Sequence, residues 1–423
     1  MKNDFFKNKN FDYFLEHASA STNDLNYLKE NKEFYNNLIK KQLLQIKNIS
    51  IVIICKNEER CIERCLNSIF KNVHELDEVL VIDTGSTDNT IEIIQNKFPK
   101  TRLEKSVWKD DFSIIRNNGL TLAKNDWIFF IDADEILDDE ALDNLKLYLA
   151  IIEAIKLKNI ILNPIIINDN YHVIRGVRRI INKNDKITYY GYIHEEPRLN
   201  KKLFGNDISC ISFDNIILYH DGYNSLVIKN KDKIKRNTEL LSKMIRIEPE
   251  YPRWLYFYCR DGKEILEKSK YIELLNKVIK LSNNKEYEQY YIRALSDLID
   301  YYLSIGNLET GREYIEKLKL ISPEISDVFY FEIYTEILKL KHAYNILLNK
   351  CIEYRESRVD LDYGSMHSNY FHIDYLIGKL FFEIGKYEHS FNLISKLEKN
   401  KFNDFKENYK LLYRALQKYY INQ

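Results

Sequence analysis

The chain has 423 residues, 45% of them apolar, and its 63 basic side chains balance 63 acidic ones. This length and apolar content suffice for two or three domains with buried cores, and they exclude a wholly disordered chain. The zero net charge, without a sustained block of one sign, removes the electrostatic case for a nucleic-acid-binding or polybasic membrane-surface protein.

Two further classes of protein are disfavoured by the sequence. The longest uncharged apolar stretches are far shorter than the roughly 20 residues that cross a bilayer, so we expect no transmembrane helix. The N-terminus lacks the apolar core of a signal peptide, which predicts a cytoplasmic protein. The 6 cysteines form no C-x-x-C pair, so we expect buried thiols rather than a disulfide scaffold.

The first segment, residues 1–47, is polar and prone to form helices. Its apolar side chains, among them Leu25, Leu28, Tyr35 and Leu38, recur at mixed helical spacings. We therefore expect an N-terminal helical arm rather than a separate domain.

Residues 48–225 differ, because apolar runs now alternate with helical patterns. The runs ISIVIIC, VLVID and WIFFID are typical of strands that are buried on both faces. Apolar side chains recur at helical spacing between the first two runs, and two more helical segments precede the third. This order predicts an α/β fold with a mainly parallel, Rossmann-like sheet.

Polar residues lie where each of these three predicted strands ends. Lys56–Glu59 follow the first strand, Asp83–Asp88 the second and Asp132–Glu135 the third. Ligands of such sheets bind beyond the carboxyl ends of the strands, so an enzyme would have its site there.

The last segment, residues 226–423, shows helical patterns in succession and no strand signal. Gly306 and Gly385 each lie between two helical patterns, and a small residue, Gly311 or Ser390, follows each of them. These offsets resemble the second half of a tetratricopeptide (TPR) repeat, with the polar segment 356–368 as an insertion. We predict a TPR-like helical domain, and the alternative is an irregular helical bundle.

Asp132-Ala133-Asp134 is the strongest single chemical feature. Residues i and i+2 of a strand share a face, so two carboxylates leaving a buried strand can converge on one hard cation. A divalent ion held there can bind a diphosphate. Asp83, a carboxylate at another strand end, would need a ligand such as a nucleobase or a ribose hydroxyl to offset its desolvation.

Four motifs in this order look like the GT-A nucleotide-sugar domain of family 2 glycosyltransferases. They are I-V-I-x-x-K-N-E-E, V-L-V-I-D-T-G-S-T-D-N-T, W-x-x-D-F-x-x-x-R-N and W-I-F-F-I-D-A-D-E. The resemblance covers Ile49 to about Tyr223 and implies a GT-A fold and a nucleotide-sugar donor.

The resemblance also implies roles for individual residues. Asn57 and Glu58 match the nucleotide-contacting end of the first strand, Asp83 the carboxylate that reads the base, and Arg116 the arginine near the nucleotide. Asp132 and Asp134 match the D-x-D metal-binding pair, and Asp132 also counts among the nucleotide-sugar contacts.

Two later segments complete the resemblance. The segment Y-I-H-E-E-P, residues 192–197, lies where inverting members carry their acidic catalytic residue, so Glu195 or Glu196 is the candidate base. His194 is a candidate for orienting the acceptor or for a structural role. His220 lies where some members carry a third metal ligand.

The whole arrangement, including P-R-W-L-Y-F-Y before the helical pairs, is similar to the SunS-like peptide S-glycosyltransferases that modify glycocin bacteriocins. That similarity implies a UDP-hexose donor, Mg²⁺ or Mn²⁺, inversion at the anomeric carbon, a homodimer, and a Cys, or in some relatives a Ser or Thr, of a small peptide as acceptor. Two alternatives stay open: transfer to a lipopolysaccharide or other cell-envelope glycan, and a TPR-type scaffold with an inactive GT-A domain.

Overall fold

The computed structural model describes most of the chain. The described residues are 10–20, 23–41, 45–168, 172–200, 208–220, 231–357, 369–397 and 411. They form two compact units, residues 1–274 and 275–423. The helices that follow residue 230 are therefore shared between the two units, and the predicted boundary at residues 225 and 226 stays a prediction.

The N-terminal segment is helical, as expected, and it also contributes a strand. Its elements are α1 (Phe11–His17), β1 (Ala18–Ala20), α2 (Asn23–Glu30) and α3 (Lys32–Lys41). The Asn10 side chain accepts hydrogen bonds from the first turn of α1 and caps that helix. Because β1 pairs with a strand of the main sheet, this segment is more than the appended arm that the sequence predicts.

The next elements alternate in the predicted β-α order. They are β2 (Ile49–Cys55), α4 (Ile62–Asn72), β3 (Glu78–Asp83), α5 (Thr90–Lys97), β4 (Arg102–Lys105), α6 (Phe112–Leu122) and β5 (Trp127–Asp132). The four strands are parallel to their neighbours and lie in the order β4-β3-β2-β5. The predicted parallel sheet is confirmed in this half.

The second half of the sheet is mixed. Its strands are β6 (Glu135–Leu137), β7 (Ile160–Asn168), β8 (Val173–Ile174), β9 (Ile180–Asn182) and β12 (Ser209–His220). Helix α7 (Ala141–Ala154) lies between β6 and β7 in the chain. Strand β9 is antiparallel to both β5 and β7, whereas β7 and β12 are parallel. A 3₁₀ turn (Lys183–Asp185) follows β9, and a separate hairpin is formed by β10 (Ile187–Tyr190) and β11 (Glu196–Leu199).

Both faces of the sheet are buried, because alternate side chains of its strands face different helices. Ile51 and Ile53 of β2 pack in the core cluster that includes side chains of α1, α4 and α7. Val52 packs in the cluster on the other side, with Ile115 of α6. The α/β fold with a GT-A-like sheet is thus confirmed, and it brings the ends of β2, β3 and β5 to one edge.

Helices form the rest of the described chain. They are α8 (Lys231–Ile247), α9 (Pro252–Gly262), α10 (Lys268–Leu281), α11 (Glu288–Ser304), α12 (Leu308–Ile321), α13 (Ser326–Glu356), α14 (Phe371–Glu383) and α15 (Tyr387–Ile394). Gly306 and Gly385 have positive φ and lie between α11 and α12 and between α14 and α15. These helical pairs agree with the predicted turns, and their TPR-like nature stays a prediction. Most of the predicted insertion lies outside the described residues.

None of the described helices combines the length and the apolar content that crossing a bilayer requires. All 6 cysteines are free thiols. The predicted buried thiols are confirmed for five of them, and Cys351 is half-buried.

Gly191 provides a test of how α9 packs on the loop between β10 and β11. Its φ is +112°, and a Cβ atom there would lie 2.6 Å from Cη2 of Trp254 on α9. Gly191→Ala is therefore expected to lower the free energy of unfolding by about 2–4 kcal/mol, measured by urea denaturation. Gly85→Ala is the matched control, because Gly85 has φ +106° but open space around it. Equal losses in the two variants would show that the Trp254 contact contributes nothing.

Candidate active site

The strand register brings the predicted acidic residues to one edge of the sheet. Strand β2 lies between β3 and β5, with Cys55 beside Asp83 and Ile54 beside Asp132. Asp83 and Asp132 are the last residues of their strands. The two carboxylates therefore lie at the carboxyl edge, as the sequence predicts.

Asp83 is only 2% exposed and is held by its own turn. Its carboxylate accepts hydrogen bonds from the backbone N–H of Gly85 at 3.0 Å and of Ser86 at 3.1 Å. These hydrogen bonds offset part of the cost of burying Asp83, and its predicted contact with the nucleotide stays a prediction. Its position at the site edge is as predicted.

The loops after β2 and β3 are joined by hydrogen bonds. Asn57, with φ of 57°, donates its backbone N–H to Ser86 and accepts from the backbone of Thr87 at 2.7 Å. The backbone N–H of Glu58 donates to Thr90 Oγ1, also at 2.7 Å. These bonds, with those of Glu59 to Asp88 and Asn89, join the two loops that carry the predicted nucleotide contacts.

Asp132 is bound by two arginines. Arg179 contacts both of its carboxylate oxygens, at 2.7 Å for the Nη1–Oδ1 pair, and Arg116 Nη2 lies 3.5 Å from Oδ1. Burial opposes ionisation, but the Arg179 guanidinium holds the pKa of Asp132 well below its usual range. Arg179 also approaches Glu135, which is buried and whose pKa burial raises to about 7.

Asp134 has a different environment from Asp132. Its Oδ2 atom lies 3.1 Å from Nε2 of His220, and Nδ1 of that ring lies 3.0 Å from Oδ1 of Asn168. The hydrogen bond with Asp134 raises the pKa of His220. The other predicted members of this motif, residues 221–223, lie outside the described residues.

These side chains fit a divalent cation with few protein ligands. No group of three potential ligands is found among the residues that the structure describes. Both oxygens of Asp132 contact Arg179. Asp134 and His220 nevertheless lie side by side, and Asn168 contacts the other imidazole nitrogen, as hydrogen-bonding partners of metal-binding histidines do. Mg²⁺ and Mn²⁺ sites often use one or two protein ligands and complete their coordination with phosphate and water.

The two candidate bases of the H-E-E-P segment differ in their surroundings. Glu195 binds Nε of Arg116, which places it beside Asp132. Burial favours its neutral form, but Arg116 lowers the pKa of Glu195. Glu196 is fully buried, and its two oxygens accept hydrogen bonds from Arg198 at 2.9 Å and Tyr251 at 2.8 Å.

His194 has φ of 51° and faces helix α9. Its Nε2 atom lies 2.7 Å from Oδ2 of Asp261, and its ring packs 4.5 Å from the ring of Phe257. The backbone carbonyl of His194 accepts a hydrogen bond from Arg253 at 2.6 Å. Helix α9 therefore holds the H-E-E-P segment in place.

Sequence reasoning missed two charged residues here, Arg179 and Asp261. Arg179 immediately precedes β9, whose antiparallel direction delivers its first residue to the edge where β5 ends. Asp261 lies in the R-W-L-Y-F-Y-C-R-D stretch of α9, which resembles any helical segment. The adjacent R-R of residues 178 and 179, just before an apolar run, was the one available signal.

The family model described as Glycosyl transferase family 2 matches residues 50–217. This range contains β2 to β12 almost completely, with Asn57, Asp83, Arg116 and the D-x-D pair. His220 lies just beyond it.

Relatives match over different lengths. The SPbeta prophage-derived glycosyltransferase SunS of Bacillus subtilis is 30% identical over 343 residues, which cover 80% of this chain and 78% of SunS. The poly-beta-1,6-N-acetyl-D-glucosamine synthase of Staphylococcus epidermidis is 32% identical over 110 residues, 25% of this chain and 26% of the synthase. Among solved structures, S. aureus TarS 1–349 in complex with UDP-GlcNAc matches with a TM-score of 0.36 and 18% identity, covering 60% of this chain and 80% of TarS.

Proposed function

This chain belongs to glycosyl transferase family 2 and is a glycosyltransferase that resembles SunS, and we propose that it moves a hexose from a UDP-sugar to a peptide. The acceptor in this proposal is a Cys side chain, or a Ser or Thr side chain, of a bacteriocin-type peptide (a glycocin). Transfer inverts the anomeric carbon.

The observation that carries the proposal is the length of the similarity to SunS. The match covers 343 residues, whereas the family 2 domain ends at residue 217. The similarity must therefore include part of the helical region, which the shorter match to the N-acetylglucosamine polymer synthase does not require. A shared helical region favours a shared kind of acceptor, since the catalytic domain alone is common to many sugar transfers.

The donor would bind along the carboxyl edge of the sheet. Asp83 accepts hydrogen bonds from its own turn yet lies at the strand end, where it can contact the base. Asn57 and Glu58 lie on the loop that is joined to that turn. Arg116 lies beside Asp132 and offers positive charge near the diphosphate. Asp132 itself is held by Arg179, so we assign it to the sugar or ribose rather than to the metal.

Asp134 and His220 are the residues that would hold Mg²⁺ or Mn²⁺. A bound divalent cation would supply charge stabilisation for the departing diphosphate. Asn168 fixes the His220 ring, and Asp134 supplies the carboxylate oxygen. Of the two glutamates, Glu195 lies at the site, whereas Glu196 is enclosed by Arg198 and Tyr251 and holds the hairpin to α9.

A peptide acceptor agrees with the surface of helix α13. Four of its exposed side chains, Phe329, Ile333, Ile337 and Leu340, recur at helical spacing and so share one face. Exposed apolar patches of this kind mark surfaces that bind proteins, peptides or membranes. The predicted homodimer and cytoplasmic location stay predictions.

The alternative function is transfer to a lipopolysaccharide or other cell-envelope glycan. It is favoured by the match of 110 residues to the polymer synthase of S. epidermidis. It does not account for the similarity that reaches into the helical region.

Intact-mass spectrometry tests the proposed function. The purified protein is incubated with UDP-glucose, Mn²⁺ and a glycocin-like peptide, and we expect the peptide to gain about one hexose. The gain should disappear when the acceptor Cys is replaced by Ala. A gain that survives this replacement would assign the reaction to Ser or Thr. No gain on the peptide, with UDP released when a lipid or glycan acceptor is added, would establish the alternative.

A further inference from the structure

The H-E-E-P segment contains two groups that can accept a proton, and they differ in how free they are to do so. Glu195 is ion-paired with Arg116 and its side chain is only 11% exposed. Arg116 lowers the pKa of Glu195, which weakens this carboxylate as a base. We therefore expect another residue of the segment to accept the proton of the acceptor side chain.

His194 and Asp261 have the geometry of a base and its orienting carboxylate. The 2.7 Å contact between Nε2 and the carboxylate oxygen requires a hydrogen, which Nε2–H donates. The other oxygen of Asp261 accepts from Arg260 at 2.8 Å, and Asn237 of α8 donates to Oδ2 at 3.1 Å. Asp261 is thus fixed from two helices, and it fixes the imidazole in one tautomer.

The opposite nitrogen of this imidazole is available. Nδ1 makes no hydrogen bond to the residues that the structure describes, whereas Nε2 contacts Asp261 and Arg260. The His194 side chain is 23% exposed. With Nε2 carrying the hydrogen, Nδ1 has the lone pair, and His194 is next in sequence to Glu195.

Burial and two nearby arginines, opposed by Asp261, favour the neutral form of His194. Burial lowers the pKa of His194, and the cationic side chains of Arg260 and Arg253 act in the same direction against Asp261. Arg260 Nη2 lies 3.0 Å from Nε2, and its side chain is 44% exposed. An acceptor thiolate beside this ring would therefore lie in an electropositive environment.

We propose that His194, oriented by Asp261, takes the proton of the acceptor side chain, and that Glu195 instead positions Arg116. This inference rests on the proposed function with a Cys acceptor. The S–H bond of the acceptor breaks and its proton passes to Nδ1 of His194. The sulfur forms the bond to the anomeric carbon as the bond from that carbon to the diphosphate oxygen breaks, and the departing UDP takes that electron pair. His194 is then the catalytic residue, and Asp261 is a positioning residue.

The pH dependence of transfer separates a base from a structural contact. His194→Gln keeps an N–H donor for Asp261 but lacks the imidazole lone pair. Because a thiol ionises by itself near pH 8.5, a base is needed below that pH and not far above it. We expect His194→Gln to lower kcat about a hundred-fold or more at pH 6.5 and less than about ten-fold at pH 9.5. The KM for UDP-glucose should not change.

Two further variants complete the experiment, which uses the full chain, UDP-glucose, Mn²⁺ and a peptide with one Cys. Asp261→Asn should lower kcat about ten-fold or more at pH 6.5, because it disturbs the tautomer of His194. This loss of kcat should also become smaller at high pH. Arg253→Lys is the matched control, since it weakens the contact with the His194 carbonyl but keeps the positive charge near the ring. Its loss should be the same at every pH. Thermal unfolding of each variant checks the fold.

The outcomes distinguish the inference from the proposed function. A His194→Gln loss that does not change between pH 6.5 and 9.5 would make His194 structural and overturn the inference. Wild-type activity in His194→Gln would also overturn it. So would a loss of kcat that becomes smaller at high pH in Glu195→Gln but not in His194→Gln. If the wild-type protein transfers no sugar to the Cys peptide, the proposed function fails, and the inference fails with it.

Discussion

Asp134→Asn is expected to lower the rate of sugar transfer about a thousand-fold while the protein stays folded. The Asp134 side chain is 31% exposed and pairs with His220, so the amide can replace it sterically. The amide lacks the negative charge that would hold a divalent cation against the diphosphate. The measurement is UDP release with the peptide acceptor over a series of Mn²⁺ concentrations, together with thermal unfolding.

Asp139→Asn is the matched control for this prediction. Asp139 follows the same acidic segment, but it is exposed and pairs with Lys71 at the surface. Its substitution should leave turnover unchanged. Removal of divalent cations with a chelator should abolish wild-type transfer, and added Mn²⁺ should restore it. Normal turnover in Asp134→Asn at low Mn²⁺ would exclude the Asp134 and His220 pair as the metal site.

Arg179→Met is expected to lower the free energy of unfolding at pH 7 by about 3–5 kcal/mol. The Arg179 side chain is 9% exposed and binds Asp132 and the buried Glu135. Its removal leaves Glu135 buried without a cation, and an unpaired buried charge is costly. Transfer should also be lost, because Asp132 would no longer be held at the strand end. Urea denaturation and activity measured on the same sample check both effects.

The pH dependence of this stability loss has a definite sign. Without the guanidinium, the pKa of Glu135 in the folded state must rise further above its unfolded value. A raised folded-state pKa contributes stability at low pH that is lost as the pH rises. The loss in the free energy of unfolding caused by Arg179→Met should therefore become smaller as the pH falls from 8 to 5. Arg175→Met, at an exposed position of the same segment, should be neutral. A deficit that grows toward pH 5 would exclude the ion-pair explanation.

Parallel strands made part of the site predictable from sequence. An apolar run that ends in a carboxylate predicts where that carboxylate lies, because all parallel strands end at one edge. Asp83, Asp132 and the loop of Asn57 are positioned in this way, and the structure places them as expected. The same rule positions Asp134, two residues beyond the end of β5.

The remaining residues of the site depend on tertiary pairings that no local pattern encodes. Arg179 reaches Asp132 because β9 inserts antiparallel between β5 and β7, which the sequence did not predict. Asp261 reaches His194 because α9 packs on Gly191 through Trp254 and on the His194 ring through Phe257.

The two glutamates of H-E-E-P illustrate the same limit. Their order in sequence leaves open which one faces the site. The structure separates them, because β11 begins at Glu196 and Glu195 lies just before that strand. Glu196 points to Arg198 and Tyr251, and Glu195 points to Arg116.

The hydrogen bonds between the loops after β2 and β3 determine how these two loops unfold locally. Asn57 accepts from Thr87, and Glu58 donates to Thr90, so neither loop can leave its place without breaking bonds of the other. The two loops therefore form one cooperative unit, and their amide hydrogens exchange with solvent in the same opening event. A nucleotide that contacts either loop would slow exchange in both.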